Sequence, residues 1–274
     1  METQGAVMHQ DSDSLMTTQI FARDFATPSF SKAVARPRPQ ARESTLAPCV
    51  ALVGCDGSGK STLARDLTAL LDREAPTRSI YLGLGTGDLG RSIGRIPVLG
   101  VVIESFLTRK AGKAHAGTGA DRRLPGLATA LVMFGFSLGR RRRFRQTLAL
   151  RRRGIRVISD RYPQAELAGR FDGPGLSWTR RGSHLVEELA TRERHLYEEM
   201  AACRPTLVIR LNVDVETALA RKADHRRDLL EAKLAIVPTL TFNGARIVDV
   251  DATRPYAEVL ATVHALVGEE MLGA

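Results

Sequence analysis

Short unbroken apolar runs alternate with longer amphipathic stretches from Pro48 onward. Cys49-Val-Ala-Leu-Val53 has the length of a buried strand and is stopped by Gly54, after which Leu63, Leu67, Leu70 and Leu71 recur at helical spacing. Arg78-Ser-Ile-Tyr-Leu-Gly-Leu-Gly85 reads as a second strand that runs into a glycine-rich loop extending to Gly94. Leu127 to Arg153 predicts a long helix with an apolar stripe of Leu127, Leu131, Phe134, Leu138, Phe144 and Leu148, closed by Gly154. Ile155 to Ser159 follows as a strand with Asp160-Arg161-Tyr162 at its C-terminal end, and Phe171-Asp-Gly-Pro-Gly175 is a turn. Ser183 to Cys203 predicts a helix with Leu185, Leu189, Leu196 and Met200 inward. Thr206 to Leu211 and Arg246 to Val250 are the remaining strands; Asp214 caps a short helix through Lys222, and Pro255 opens a final helix whose buried face is Val259, Leu260, Val263, Leu266 and Val267.

Five strands alternating with helices predict an α/β fold, a five-stranded parallel sheet covered by helices on both faces. The tail, 1–47, is rich in Ser, Thr, Gln, Ala and Arg and broken by Pro28, Pro37 and Pro39; apart from a short helix that Leu15 to Phe25 could form, it is expected to be disordered. Residues 48–274 then form one domain. Within it, the long excursion over about 83–153 is the place for an acceptor-binding insertion. Ile96 to Leu107 is apolar without a defined period, and Lys110 to Pro125 is expected to be mobile, with His115 a solvated residue rather than a ligand.

Composition changes this picture in one respect. The 274 residues are 43% hydrophobic and 26% charged, ordinary for a globular protein, but the net charge of +10 is unevenly spread. Residues 122–181 hold fifteen arginines against Asp160, Glu166 and Asp172, a local +12, so the remainder carries −2. Such an excess implies an anionic partner, although 34 arginines against 6 lysines also point to a general arginine preference. Few aromatic residues accompany these arginines, so base stacking is poorly provided for and nucleic acid is not the expected partner. Three cysteines in no metal spacing, no secretory leader and no apolar run of membrane-spanning length fit a cytoplasmic protein, with a homodimer as a compatible assembly.

The chemistry sits between the first strand and the first helix. Gly54-x-x-x-x-Gly59-Lys60-Ser61 is a phosphate-binding loop in its required context. Its glycines let consecutive N–H groups turn inward on phosphate oxygens, the helix N-terminus adds a positive dipole, Lys60 adds a point charge, and Ser61 offers a hydroxyl to Mg²⁺. Gly54, Asp56, Gly57, Ser58, Gly59, Lys60, Ser61 and Thr62 are the expected donor site, and ATP with Mg²⁺ the expected cofactors.

With Asp56-Gly-Ser-Gly-Lys-Ser-Thr62, Val157-Ile-Ser-Asp-Arg-Tyr162, Leu211 to Arg221 and Val250-Asp-Ala-Thr-Arg-Pro255 in this order, the chain resembles the thymidylate kinase-like branch of P-loop nucleoside monophosphate kinases over residues 48 to about 267. The resemblance implies a three-layer P-loop kinase fold with a mobile lid at about 221–238. It implies Asp160 beside Ser61 at the metal, Arg161 and Tyr162 at the acceptor, and Asp56 facing the acceptor sugar. An acceptor-phosphate arginine is implied at or next to Arg140. Arg221 and Arg226 of the lid are implied to close on the transferring phosphoryl group. In one subtype of that family the residue after Asp56 is an arginine, whereas this chain has Gly57. The sequence after Tyr162, Pro163-Gln-Ala-Glu-Leu-Ala-Gly-Arg170, departs from the family's base-holding residues, so thymidine monophosphate is not the implied acceptor; another nucleotide or a phosphorylated metabolite is. Two other readings stay open: a P-loop kinase of a nucleoside or sugar hydroxyl, for which Asp160 is the candidate base, and a non-catalytic nucleotide-binding or nucleic-acid-associated protein.

Overall fold

The computed structural model describes residues 46–84, 125–169, 171–176, 182–222 and 227–272, all within one unit spanning 40–274. The expectations for the tail up to residue 45, for Gly85 to Gly94, Ile96 to Leu107, His115 and Arg226 lie outside the described residues.

Strand β1 (Cys49–Gly54) is the axis of the molecule. Every residue in it is buried, and because side chains alternate across a strand it feeds two cores. Val50 and Leu52 pack with Leu63, Leu67 and Leu71 of helix α1 (Lys60–Leu71) and with Val259, Val263 and Val267 of the last helix, α6 (Tyr256–Leu272). Cys49, Ala51 and Val53 pack on the other side with Phe144 of α2 (Leu127–Arg152) and with Tyr197 and Met200 of α3 (His184–Ala202). Each such leucine or valine contributes about 1.5–3 kcal/mol by leaving water. The other strands are β2 (Thr77–Tyr81), β3 (Arg156–Asp160), β4 (Leu207–Asn212) and β5 (Ile247–Asp251). They pair in the order β2-β3-β1-β4-β5, and every pairing is parallel. The fold is the three-layer α/β arrangement that the alternation of elements predicts.

This order puts the chain's reversal at the C-terminal end of β1: the chain leaves β1 for the β2 edge, returns through β3, and crosses to β4 and β5. A crevice opens where neighbouring connections diverge in this way. Two short helices, α4 (Val215–Arg221) and α5 (Arg227–Ile236), follow β4 on the same side of the sheet as that crevice. Asp214 caps α4 as expected, its carboxylate accepting from the Thr217 N–H at 2.6 Å, and Gly154 stops α2 with φ 75°. Among the described residues no helix is long and apolar enough to cross a membrane.

Helix α2 departs from the pattern. Leu127, Leu131 and Leu138 of the expected stripe are exposed, and the buried face is Ala130, Ser137, Arg140, Phe144, Thr147 and Arg151. Leu185 of α3 is likewise 61% exposed, and Val186 takes the inward place. The reason is polar pairing. Glu193 of α3, fully buried, accepts from the Ser137 hydroxyl and, at 2.6 Å, from the Leu176 N–H. Burial pushes its carboxyl above the usual range, against those same hydrogen bonds. Arg140 is also fully buried, facing Asp172 and Tyr197. Partners of this kind rotate the helix so that a polar seam faces inward, and a simple apolar period cannot report them.

Replacing Glu193 with alanine leaves the Ser137 hydroxyl and the Leu176 N–H without this acceptor. We expect a loss of about 2–4 kcal/mol in chemical denaturation, against less than about 0.5 kcal/mol for the neighbouring exposed Arg192→Ala. Equal effects at the two positions would remove Glu193 from the set of interactions that fix α2 on α3.

Candidate functional site

The loop between β1 and α1 takes its shape from left-handed glycines. Gly57 has φ 88°, and a Cβ there would lie 2.8 Å from the Ala218 carbonyl oxygen of α4. No side chain fits, so an arginine after Asp56, as in one subtype of the resembling family, is excluded by backbone and space together. At Gly54, φ is 152° and a Cβ would stand 2.7 Å from both the Leu211 carbonyl and the Ser58 hydroxyl. Gly59 caps α1, Ser58 is buried, and Ser61 and Thr62 lie exposed on the helix's first turn. The N-terminal amides of a 12-residue helix therefore open toward the crevice beside the loop.

Lys60 is 6% exposed, and its Nζ donates to the Cys55 carbonyl at 2.6 Å and to the Ser58 hydroxyl at 3.3 Å. Burial, helped by the positive charge of Arg161, lowers its pKa to about 8, while Asp56 and Asp160 pull the other way. The ammonium is thus folded back on its own loop and electrostatically poorly compensated, a state that an incoming anion relieves.

Across the loop, β3 ends on Asp160. Its Oδ2 accepts from the Ser61 hydroxyl at 2.6 Å, while Oδ1 is buried and has no hydrogen-bond partner. An orphaned carboxylate oxygen beside a loop serine is the donor set Mg²⁺ takes, because that ion is held by one or two protein oxygens and completes its shell with phosphate and water. The residues present fit the metal. Among the described residues no group of three His, Cys, Asp or Glu gathers elsewhere to hold one.

The next residue, Arg161, has φ 71°, and this left-handed step turns its side chain along the crevice rather than into the sheet. Nη2 donates to Asp56 at 2.8 Å and Nη1 to Asp172 at 3.3 Å. Asp172 Oδ1 in turn accepts from Arg140 Nη2 at 2.7 Å, and Arg140 stacks over the Tyr197 ring with its centroid at 5.6 Å. On the other side, Lys233 of α5 pairs with Asp56. The result is an alternating chain of charges, Lys233, Asp56, Arg161, Asp172 and Arg140, running from α5 through the loop into the core. Burial works to raise the two carboxyls, but Lys233, Arg161 and Lys60 hold Asp56 far below the usual range, and Arg161 and Arg140 hold Asp172 below it. The Arg161 guanidinium is correspondingly raised, first by Asp172.

The expected residues are therefore largely gathered. Gly54, Asp56, Gly57, Ser58, Gly59, Lys60, Ser61, Thr62, Asp160 and Arg161 meet at one crevice, and Arg221 reaches its rim, 3.5 Å from the Gly57 carbonyl. Arg140 joins only through Asp172, because its own side chain is fully enclosed. Tyr162 does not join: its ring is 2% exposed, packs edge-on to Phe144, and its hydroxyl donates to the Cys203 carbonyl. One step beyond left-handed Arg161, the chain turns this side chain into the α2–α3 core, and an acceptor role for Tyr162 is withdrawn. Pattern reading missed Asp172, which stood only as part of a turn, and Lys233, which lay unmarked within the expected lid. Asp-Gly within a tight turn close after Asp-Arg-Tyr was the available signal for the first; none marked the second. Arg143, one turn beyond Arg140, was not among the expected site residues; it is half-buried and donates to the Gly83 carbonyl at 2.5 Å, bordering the loop after β2.

No family model matches the chain. It is 44% identical to the uncharacterized ATP-binding protein YghS of Escherichia coli K12 over 218 residues, 79% of this chain and 91% of that one. It is 42% identical to the uncharacterized ATP-binding protein YghR of the same strain over 212 residues, 77% of this chain and 83% of that one.

Tyr162→Phe tests the corrected placement. It removes one buried hydrogen bond, so stability should fall by about 0.5–1.5 kcal/mol in a denaturant titration while anion binding at the crevice stays unchanged. Weakened anion binding at unchanged stability would return Tyr162 to the site.

Proposed function

Because the chain belongs to the family of the Escherichia coli proteins YghS and YghR, we propose that it binds ATP at the loop around Lys60 and transfers the terminal phosphoryl group to a small phosphorylated acceptor. A nucleoside monophosphate is the first acceptor in view. The description of the two relatives as ATP-binding proteins supports the nucleotide, and the loop geometry supports the phosphates. The observation that carries the transfer reading is Arg161: a strained backbone turns its guanidinium toward the loop, 2.8 Å from Asp56, where it faces the donor site across the crevice.

The roles follow from this chain's own groups. The loop amides and Lys60 hold the donor phosphates, with Lys60 exchanging its contacts to the Cys55 carbonyl and the Ser58 hydroxyl for phosphate oxygens. Ser61 and Asp160 would hold Mg²⁺, which when bound supplies charge neutralisation on the phosphates. Arg161 orients the acceptor's phosphate through its guanidinium N–H groups. Arg221 at the loop rim and Lys233 on Asp56 put two further cations beside the transferring group, and Arg226 of the same segment is proposed to join them. A phosphate acceptor is already ionised near neutral pH, so alignment and charge compensation suffice. A hydroxyl acceptor needs a base. Asp160 is taken by its proposed place at the metal with Ser61, and Asp172 is a weak base because two arginines hold it ionised, which argues against that second reading.

ADP release from Mg-ATP across nucleoside monophosphates, nucleosides and sugar phosphates tests the assignment. One phosphorylated acceptor should stimulate turnover, and Lys60→Ala should abolish it with the circular dichroism spectrum unchanged; stimulation only by an unphosphorylated nucleoside or sugar would overturn the acceptor class.

Lys60 adds a pH signature. Its pKa is lowered to about 8 in the free protein, mainly by burial, with Arg161, Asp56 and Asp160 as its charged neighbours. ATP phosphates favour the ammonium, so binding raises that pKa: affinity should be greatest below pH 8 and fall as pH rises above it, with proton uptake on binding at about pH 8.5. Calorimetry in two buffers of different ionisation enthalpy measures the uptake, and identical heats would contradict the assignment of Lys60 to the phosphates.

A further inference from the structure

We propose that Asp172 is a built-in competitor for the acceptor's phosphate: its carboxylate bridges Arg140 and Arg161, and an anionic acceptor must take Arg161 from it, so Asp172 sets the charge the site accepts and the affinity with which it does so. This rests on the proposed role of Arg161.

The bridge has two unequal arms. On the core side, Asp172 Oδ1 meets Arg140 at 2.7 Å, and Arg140 is fully buried with its Nε lacking any hydrogen-bond partner. No ligand reaches that arginine past the turn that covers it. On the crevice side, Asp172 Oδ2 meets Arg161 Nη1 at 3.3 Å, longer than the usual distance for a charged pair, and the Arg161 side chain keeps 25% of its exposure. The outer arm is therefore the one that can open while the inner arm stays closed.

The turn that carries Asp172 is braced to keep the carboxylate there. The Asp172 carbonyl accepts from Arg140 at 2.5 Å and from the Gln164 N–H at 3.4 Å; the Gln164 side chain donates to the Phe171 carbonyl at 3.2 Å; Glu193 holds the Leu176 N–H. Among the described residues five non-glycine positions have left-handed backbone, and three of them are Arg161, Phe171 and Asp172, the two ends of this one contact. Strain of this kind persists where surrounding structure over-determines it, and its concentration at a single ion pair beside the loop points to a held geometry rather than an incidental turn.

The electrostatic consequence is specific. Asp172 is shared between Arg161 and the enclosed Arg140, and Asp56 between Arg161 and Lys233, so the guanidinium of this pair that opens to the crevice is already engaged when an acceptor arrives. An acceptor with further contacts elsewhere in the crevice displaces the outer arm readily; a small anion without such contacts displaces it only at high concentration. Asp172 is thus a specificity-determining residue, acting through Arg161.

Asp172→Asn keeps the size and one acceptor oxygen for Arg140 while removing the charge. Binding of inorganic phosphate, followed by calorimetry without any nucleotide, should tighten about tenfold or more relative to the unaltered protein, and the KM of a stimulating phosphorylated acceptor should fall more than kcat changes. Unchanged or weaker phosphate binding in a folded Asp172→Asn protein overturns the proposal. Should that variant fail to fold, the unaltered protein still decides: in arginine side-chain NMR, phosphate should shift the Arg161 resonances and leave those of Arg140 in place, and a titration that shifts neither, or both alike, overturns it. The phosphate measurement needs no turnover, so a gain in phosphate binding with no active acceptor would sink the transferase reading and leave Asp172's role standing, while turnover with no gain would do the reverse.

Discussion

The structure depends on a buried guanidinium that cannot be left without a counter-ion. Arg140 lies inside the packing of α2, α3 and the turn at Phe171 to Leu176, with no exposure of its own. Removing one partner of such a pair commonly costs about 3–5 kcal/mol, because the survivor stays charged in a poorly solvating interior. Asp172 must therefore be delivered to Arg140, and the turn, Gln164 and Glu193 are arranged to deliver it. From Asp172 the constraint passes outward to Arg161, from Arg161 to Asp56 in the loop, and from Asp56 to Lys233 on α5. A requirement that begins as core electrostatics ends by fixing the orientation of a crevice arginine.

The sheet supplies the other half of the arrangement. Because β1 is central and its neighbours leave in opposite directions, the glycine loop, the end of β3 and the start of α4 converge on one side. Asp160 and Ser61 stand together only because Leu52 of β1 is in register with Asp160 of β3, which brings the strand end level with the loop. Gly57 is tied to the same convergence: the backbone of α4 at Ala218 comes so near that no side chain can be placed there. A phosphate loop read from one short motif is thus completed by three separate segments of chain.

Helix α2 shows why patterning reads some faces and not others. In α1 and α6, which cover the sheet's other face, the leucines and valines at helical spacing are the residues that pack, and periodicity identifies them correctly. In α2 the buried seam carries Ser137, Arg140, Thr147 and Arg151. Three of these have a partner contributed from elsewhere, Glu193 for Ser137, Asp172 for Arg140 and the Ala47 carbonyl for Arg151, while the Thr147 hydroxyl donates to the Arg143 carbonyl of its own helix. A hydrophobic period records only the transfer of apolar surface out of water. It carries nothing about polar groups whose burial is compensated by residues distant in the chain.

By itself the sequence determined the five strands, the helices other than α5, their α/β alternation, the position of the phosphate loop and the caps at Asp214 and Gly154, because each is set by interactions within a few residues. It also marked Asp160-Arg161 as the strand end that matters. Only the tertiary structure decided which face of α2 turns inward, that Tyr162 belongs to the core, that Lys233 reaches Asp56, and that Arg140 and Arg161 share one carboxylate. Those outcomes depend on which charges and donors meet across tens of residues once the sheet has closed. Coulombic and hydrogen-bond partners are chosen by distance in space, and distance along the chain does not encode it.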